Sequence, residues 1–267
     1  MELVDIERLL IKKYRKYLWS PFIKAIKDFE LINENDKIAV AISGGKDSLL
    51  CAKLIQELHR HSDIKFDVEY ICMDPGYAKE HRKNLEENLK YLNIKANIYD
   101  SNVFAVSEKI SGNYPCYMCA RMRRGFLYAK AKELGCNKVA LGHHLNDAIE
   151  TTLMNVLFSG NFKTMKPKLK AQNFQGMELI RPLYYIDEEM IKKWRDEIGL
   201  NALNCACAVT KKSEGYTRKY VKELIANLEK DIPNVRKSIL RSAENVNCDM
   251  VLAYQIKGKK HSFLEEF

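Results

Sequence analysis

Apolar positions in the first thirty residues recur at helical spacing (Leu9, Leu10, Tyr14, Tyr17, Leu18, Phe22, Ile26, Phe29), which predicts one or two amphipathic helices over residues 1–33. Their outer face is basic, since Lys12, Lys13, Arg15 and Lys16 sit together. The pattern then changes. Residues 37–42, KIAVAI, form a short and nearly all-apolar run closed by Ser43-Gly44-Gly45. Such a run reads as a strand buried on both faces that enters a glycine turn. Helical spacing returns at 47–58, and strand-like and helix-like segments alternate from there. The predicted strands are 66–73, 95–99, 137–141 and 178–183; the predicted helices are 78–92, 144–158, 188–197 and 216–228.

Strand, helix and strand in succession predict parallel pairing, because a right-handed crossover has to lay its helix over the sheet. The expected fold class is α/β: a doubly wound, Rossmann-like parallel sheet of five strands. It divides into an N-terminal basic helical segment (1–33), the sheet domain (34–200) and a C-terminal helical appendage (201–267) ending in a charged stretch, KGKKHSFLEEF. In this architecture ligands bind at the carboxyl ends of strands, near the point where strand order reverses. Three loops with unusual residues fall there: 43–48 after the first strand, Asp74-Pro75-Gly76 after the second and Gly142-His143-His144 after the fourth.

Composition narrows the partners. Over 267 residues, 44 Lys and Arg against 35 Asp and Glu give a net charge of +9, which favours a polyanion such as nucleic acid. The charge is clustered in Arg121, Arg123 and Arg124, and again in Lys163, Lys166, Lys168 and Lys170 with no acid between them; these are the expected nucleic-acid contacts. No apolar run approaches the roughly 18 residues of a membrane span. The start, MELVDIERLL, carries acids where a secretory leader needs a basic stretch, so the chain is expected to be cytoplasmic and to have no membrane partner. There, eight cysteines are read as thiols, ligands or catalytic groups rather than as a disulfide framework.

Ser43-Gly44-Gly45-Lys46-Asp47-Ser48 lies between a strand and a helix, where glycines admit an anion close to the backbone and the helix N-terminus offers N–H donors. The spacing is neither that of a Walker A loop nor that of the three-glycine dinucleotide fingerprint. What remains is a phosphate cradle in which Lys46, Ser43 and Ser48 bind the anion. The segment resembles the PP-loop of the N-type ATP pyrophosphatases, of HUP-like fold. That resemblance implies ATP and Mg2+ as cofactors, transfer of AMP to a carbonyl oxygen with release of pyrophosphate, and displacement of AMP by a nucleophile. The nucleotide-binding set it implies is Ala41, Ser43, Gly44, Gly45, Lys46, Asp47, Ser48, Met73, Gly142, His143 and Asp147. Lys46, Asp47 and His143 are its catalytic members, and Asp47 or Asp147 positions the magnesium.

The cysteines add a second centre. Cys116 and Cys119 open a basic helical run, and Cys205-Ala206-Cys207 supplies another close pair. Four thiols in two pairs suit an iron–sulfur cluster, a four-thiolate zinc site or a redox dithiol, and spacing does not separate the first two. In chain order, the segments 116–125 (CYMCARMRRG), 141–147 (LGHHLND), 163–169 (KTMKPKL) and 180–185 (IRPLYY) resemble the tRNA 2-thiocytidine synthetase family. The resemblance implies an ATP-dependent tRNA sulfurtransferase with a [4Fe-4S] cluster on Cys116, Cys119 and one of Cys205 or Cys207, the two pair-forming cysteines of 116–119 also being catalytic. Register favours Cys207, although Asn-Cys-Ala-Cys-Ala stands where the family usually has Pro-Cys-x-x-Cys-Gly. The same chemistry on another tRNA base or on a small carbonyl compound is the alternative. The partners implied are tRNA and a sulfur donor (a cysteine desulfurase, a persulfide carrier or sulfide), with a homodimer as the expected assembly. Cys51 and Cys72 are expected in the core.

Overall fold

The computed structural model describes residues 1–101, 115–203 and 214–266. Six strands form one sheet in the order β3-β2-β1-β4-β6-β5: β1 (Lys37–Ile42), β2 (Asp67–Asp74), β3 (Asn97–Asp100), β4 (Lys138–Ala140), β5 (Lys168–Lys170) and β6 (Glu178–Ile180). β1 pairs in parallel with β2 and β4, β2 with β3, and β4 with β6. The chain lays β2 and β3 outward on one side of β1 and then returns to its other side with β4. Strand order therefore reverses between β1 and β4, and the crevice at their carboxyl ends is where such sheets bind ligands.

These five parallel strands are the five that the alternation predicts. The sixth, β5, runs antiparallel to β6 in a stretch expected only as phosphate-binding lysines. Lys168 and Lys170 flank Leu169, which is 38% exposed, so the segment carries no burial signal; lysines on an edge strand are a common guard against pairing with another chain. A second departure lies at the C-terminus. After the helices Glu214–Asp231 and Val235–Ser242 comes a hairpin, β7 (Ala253–Ile256) and β8 (Lys259–Ser262). Its two-residue turn, Lys257-Gly258, has positive φ at both positions (49° and 82°), the geometry that a tight hairpin needs.

β1 is buried from Ile38 onward. Ala39 and Ala41 pack in a cluster with Ile71, Ala131, Cys136, Val139 and Met177, while alternation sends Ile38, Val40 and Ile42 to the opposite face. Cys51 and Cys72 are core residues as expected, and Cys136 joins them. Burial pushes the Cys51 and Cys72 thiols up to about 12 and Cys136 to about 11, which makes them inert.

The N-terminal stripe has a strict repeat of four: Ile6, Leu10, Tyr14, Leu18, Phe22 and Ile26 are all buried. An α-helix turns every ~3.6 residues, so a repeat of four would drift off its face. Two π turns, Leu9–Lys13 and Arg15–Trp19, lie between the helices Leu3–Arg8 and Ser20–Asp28. The wider i→i+5 turn, seen as Tyr14 N–H donating to the Leu9 carbonyl at 2.8 Å, restores the register. The fully buried Lys53 anchors this stretch, donating to Glu7 Oε1 at 2.7 Å and lying 3.2 Å from the buried Glu57 carboxylate.

The chain divides into two compact units, residues 1–148 with 165–217 and residues 149–164 with 218–267. The first carries the six-stranded sheet. The second carries the β7–β8 hairpin and is held by Arg218 on Glu150 at 3.1 Å and an edge-on contact of Phe158 with Tyr220. Among the described residues no helix is long and apolar enough to cross a membrane.

Candidate active site

The 43–48 loop closes on itself through serines. Ser48 Oγ donates to the Gly45 carbonyl at 2.9 Å and accepts from the Ser43 N–H at 3.1 Å, and the Ser43 hydroxyl reaches Ser48 Oγ at 3.2 Å. Gly44 has φ +82°, and a Cβ there would lie 2.6 Å from Leu203 Cδ1; the Gly44 carbonyl accepts from Leu203 N–H at 2.9 Å. Gly45 precedes the helix Lys46–His61, so the N–H groups of its first turn face the crevice as an anion site.

Gly142 meets this loop from β4. A Cβ at Gly142 would stand 2.8 Å from the backbone C and O of Asp47 and 2.9 Å from Ser48 N. Only a glycine lets the two segments approach. Next in the chain, Asp147 reaches back to the His144 N–H at 3.0 Å, one half of a capping box for the helix Leu145–Ser159. The His144 ring lies between two carboxylates, Nε2 3.8 Å from Asp47 Oδ1 and Nδ1 3.5 Å from Asp147 Oδ2. Asp47 Oδ1 is buried and has no hydrogen-bond partner among the described residues.

The loop after β2 is built around Asp74. The Asp74 carboxylate accepts from the Tyr77 N–H at 2.7 Å, the Gly76 N–H at 2.9 Å and Arg82 Nη1 at 2.8 Å. Burial works against its charge, but the bonds from Tyr77, Arg82 and Gly76 hold its carboxyl below the usual range. The Tyr77 hydroxyl donates to the Ser43 carbonyl at 3.2 Å, which ties this loop to the phosphate loop.

Together these segments enclose a cavity of about 410 Å3, within the size range of small-molecule sites. Nine residues of the expected nucleotide set line it: Ala41, Ser43, Gly45, Asp47, Ser48, Met73, Gly142, His143 and Asp147. Gly44 supports the loop from behind, and Lys46 is turned to Glu188 and Asp47, with Nζ at 3.1 and 3.0 Å. Glu188 carries no sequence signal of its own beyond a position in the first turn of a helix.

The remaining wall comes from the helix Pro115–Glu133, which contributes Arg123, Arg124 and Leu127. Two arginines expected on nucleic acid thus border the cavity, while Arg121 is exposed. Cys116 and Cys119 are the second and fifth residues of this same helix. Cys205 and Cys207 lie outside the described residues. Of the basic run, Lys168 Nζ is engaged by the Glu30 carbonyl at 2.9 Å and Glu178 Oε2 at 3.3 Å, Lys166 and Lys170 are exposed, and Lys163 is exposed in the other unit. Arg181, at the end of β6, is 8% exposed and donates to the Lys166 carbonyl; burial lowers it to about 10.

The residues present fit both groups that the motifs imply. A buried, unpartnered carboxylate oxygen on Asp47 beside Asp147 suits a hard divalent cation. A pair of cysteines at i and i+3 near the start of a helix, followed in sequence by arginines, suits thiolate ligation, whereas the buried thiols of Cys51, Cys72 and Cys136 do not.

A family model described as a PP-loop domain matches residues 18–228. The tRNA-cytidine(32) 2-sulfurtransferase of Pelobacter propionicus is 37% identical over 237 residues, 88% of this chain and 87% of the relative. The protein of the same name from Citrifermentans bemidjiense is 39% identical over 231 residues, 84% and 88% of the two chains. The structure of the U34-tRNA thiolase NcsA from Methanococcus maripaludis with its [4Fe-4S] cluster superposes with a TM-score of 0.69 at 24% identity, covering 90% of this chain and 81% of that one; the likeness is one of fold.

Proposed function

The chain belongs to the PP-loop family, within its tRNA 2-sulfurtransferase branch, and from that premise we propose that it forms 2-thiocytidine in tRNA at the expense of ATP. It is an ATP-dependent sulfurtransferase. In the proposed reaction the cytidine O2 attacks the α-phosphorus of ATP, the bond to the β-phosphate breaks with its electron pair leaving on pyrophosphate, and sulfur then adds at C2 as the C–O bond to AMP breaks.

The chain's own residues divide this work. The N–H groups of 43–48 and the Lys46 ammonium take the phosphates, and their fixed positive ends offset charge on the departing pyrophosphate. Asp47 and Asp147 would hold the magnesium that screens the triphosphate. His143 and Gly142 border the adenylate, and Arg123 and Arg124 take phosphate at the opposite wall. A cluster on Cys116, Cys119 and Cys207 or Cys205 would, when bound, supply the sulfur in nucleophilic form. Arg121 and the lysines 163, 166, 168 and 170 hold the tRNA backbone.

The observation that carries this reading is the shared helix. The element that bears Cys116 and Cys119 near its start lends Arg123, Arg124 and Leu127 to the wall of the cavity, so activation and sulfur delivery fall on one element. The test is AMP and pyrophosphate release by anaerobically reconstituted protein given sulfide, with and without tRNA lacking thiolated cytidine, followed by nucleoside mass spectrometry. Release that requires tRNA and yields 2-thiocytidine is expected. Release that ignores tRNA overturns the assignment and points to a small acceptor; a different thionucleoside moves it to another base.

A further inference from the structure

Resting on the reading of 43–48 as the ATP phosphate loop, we propose that Glu188 is a positioning residue that holds Lys46 back from the cavity and sets how readily its ammonium reaches the nucleotide. Gly45, Asp47 and Ser48 line the cavity, and Lys46 between them does not. Its Nζ is 3.1 Å from Glu188 Oε1 and 3.0 Å from Asp47 Oδ2, with side-chain exposures of 17% for Lys46 and 11% for Glu188. At that depth solvent screens the attraction only partly. Asp47 faces the cavity itself, so the pull away from it comes from Glu188.

The position of Glu188 is built from several sides. Its backbone N–H donates to Asn146 Oδ1 at 2.9 Å, which fixes it to the segment that presents Asp147 to the cavity. Asp187 caps the helix Glu188–Glu197 by accepting from the Glu189 N–H at 2.8 Å, and a carboxylate in a first turn is favoured by the helix dipole. The second oxygen, Oε2, lies 3.6 Å from Lys192 Nζ. When Lys46 swings to a phosphate, Glu188 therefore keeps a cationic partner and the opened pair leaves no buried charge alone. A nucleotide must outcompete Glu188 for Lys46, and the lysine approaches the phosphates from one side only.

Two readouts separate this role from a structural one. Amine acylation of Lys46, followed by peptide mass spectrometry on nucleotide-free protein, should run about fivefold faster in Glu188→Gln than in wild type. Glu188→Asp, which keeps the charge but shortens the reach, should accelerate it as well. Titration calorimetry with ATP and magnesium should show tighter binding in Glu188→Gln by a similar factor, and no such gain in a Lys46→Met background. A gain equal in both backgrounds reports only the loss of a negative charge near the phosphates and overturns the clamp, as does unchanged Lys46 labelling. Faster labelling in a protein that binds no ATP leaves the clamp standing and removes the phosphate-loop reading on which it was built. Unfolding midpoints of all variants show whether each is folded.

Discussion

Where the loops after β1 and β4 meet, a methyl group has no room, whereas at Gly125, on the helix that borders the same cavity, it meets nothing outside its own helix. A Cβ at Gly142 would lie 2.8 Å from the Asp47 backbone, and one at Gly44 2.6 Å from Leu203. At Gly125, in the helix that carries Arg123, Arg124 and Leu127, a Cβ would meet no described heavy atom within 4 Å beyond its chain neighbours and its own helix backbone. The first wall is assembled from β1, β2 and β4, the β2 loop hydrogen-bonded to the phosphate loop and the β4 loop packed against its backbone, so its donors are aimed before any ligand arrives, which is how preorganised sites gain their strength. The second wall is one face of a single helix. The difference places the close packing at the sheet edge, whereas Gly125, turned to the other side of its helix from the cavity-lining Arg123, Arg124 and Leu127, is under no such constraint.

The largest effect expected from breaking this contrast is at Gly142. In Gly142→Ala the new methyl group meets backbone rather than the end of a flexible side chain, so the phosphate loop or the 142–147 segment must move. A cost of about 3 kcal/mol in urea unfolding is expected from overpacking against an element that cannot rotate away, together with at least tenfold weaker ATP binding by calorimetry. An alanine protein of wild-type stability and affinity would show that the close approach of the two loops is dispensable.

Gly142 also shows how far the sequence could be read. That a glycine stands after the fourth strand was legible, as were the five parallel strands, because strands buried on both faces write continuous apolar runs. Why it must be glycine is a contact with Asp47 that no local pattern carries. β5 escaped because Lys-Leu-Lys on an edge has no apolar side to show, and the terminal hairpin because its strands are four residues each and largely exposed. Arg123 and Arg124 read as a basic cluster, and only the packing of their helix against β1, β2 and β4 brings them to the cavity. Glu188 and His144 act across elements distant in sequence, so their partners, Lys46 and the Asp47–Asp147 pair, are visible only once the sheet edge has formed.

A middle-sized effect is expected at Asp74, the residue that joins the β2 loop to the preorganised wall. Its folded-state carboxyl lies below the ordinary 3.8, with burial opposing the shift and hydrogen bonds from Tyr77, Arg82 and Gly76 producing it. A group whose folded pKa is depressed stabilises the fold above its unfolded pKa and loses that contribution as pH falls through the folded value. Stability should therefore decline below about pH 4, and part of that decline should vanish in Asp74→Asn. At neutral pH the same substitution gives up the charged bond with Arg82 and should cost about 1–2 kcal/mol. Unfolding curves from pH 3 to 7 for both proteins check it; parallel curves over the acid range would mean that Asp74 does not carry the acid sensitivity.

The smallest effect has the opposite sign and tests the helix side of the comparison. Gly125 lies inside the helix Pro115–Glu133, its φ is not positive, and the added methyl group has empty space before it. Glycine within a helix gives up more backbone entropy on folding than alanine does, so Gly125→Ala should stabilise the protein by roughly 0.5–1 kcal/mol. ATP affinity should not change, because the substitution reaches neither the phosphate loop nor Gly142. Stabilisation with unaltered ATP binding and reduced tRNA-dependent AMP release would mark the glycine as a place where the RNA comes against the helix backbone. Stabilisation with both activities intact would make it a helix position that neither ATP nor RNA uses. Destabilisation would show that something packs on Gly125 after all, and the contrast between Gly142 and Gly125 would fall with it.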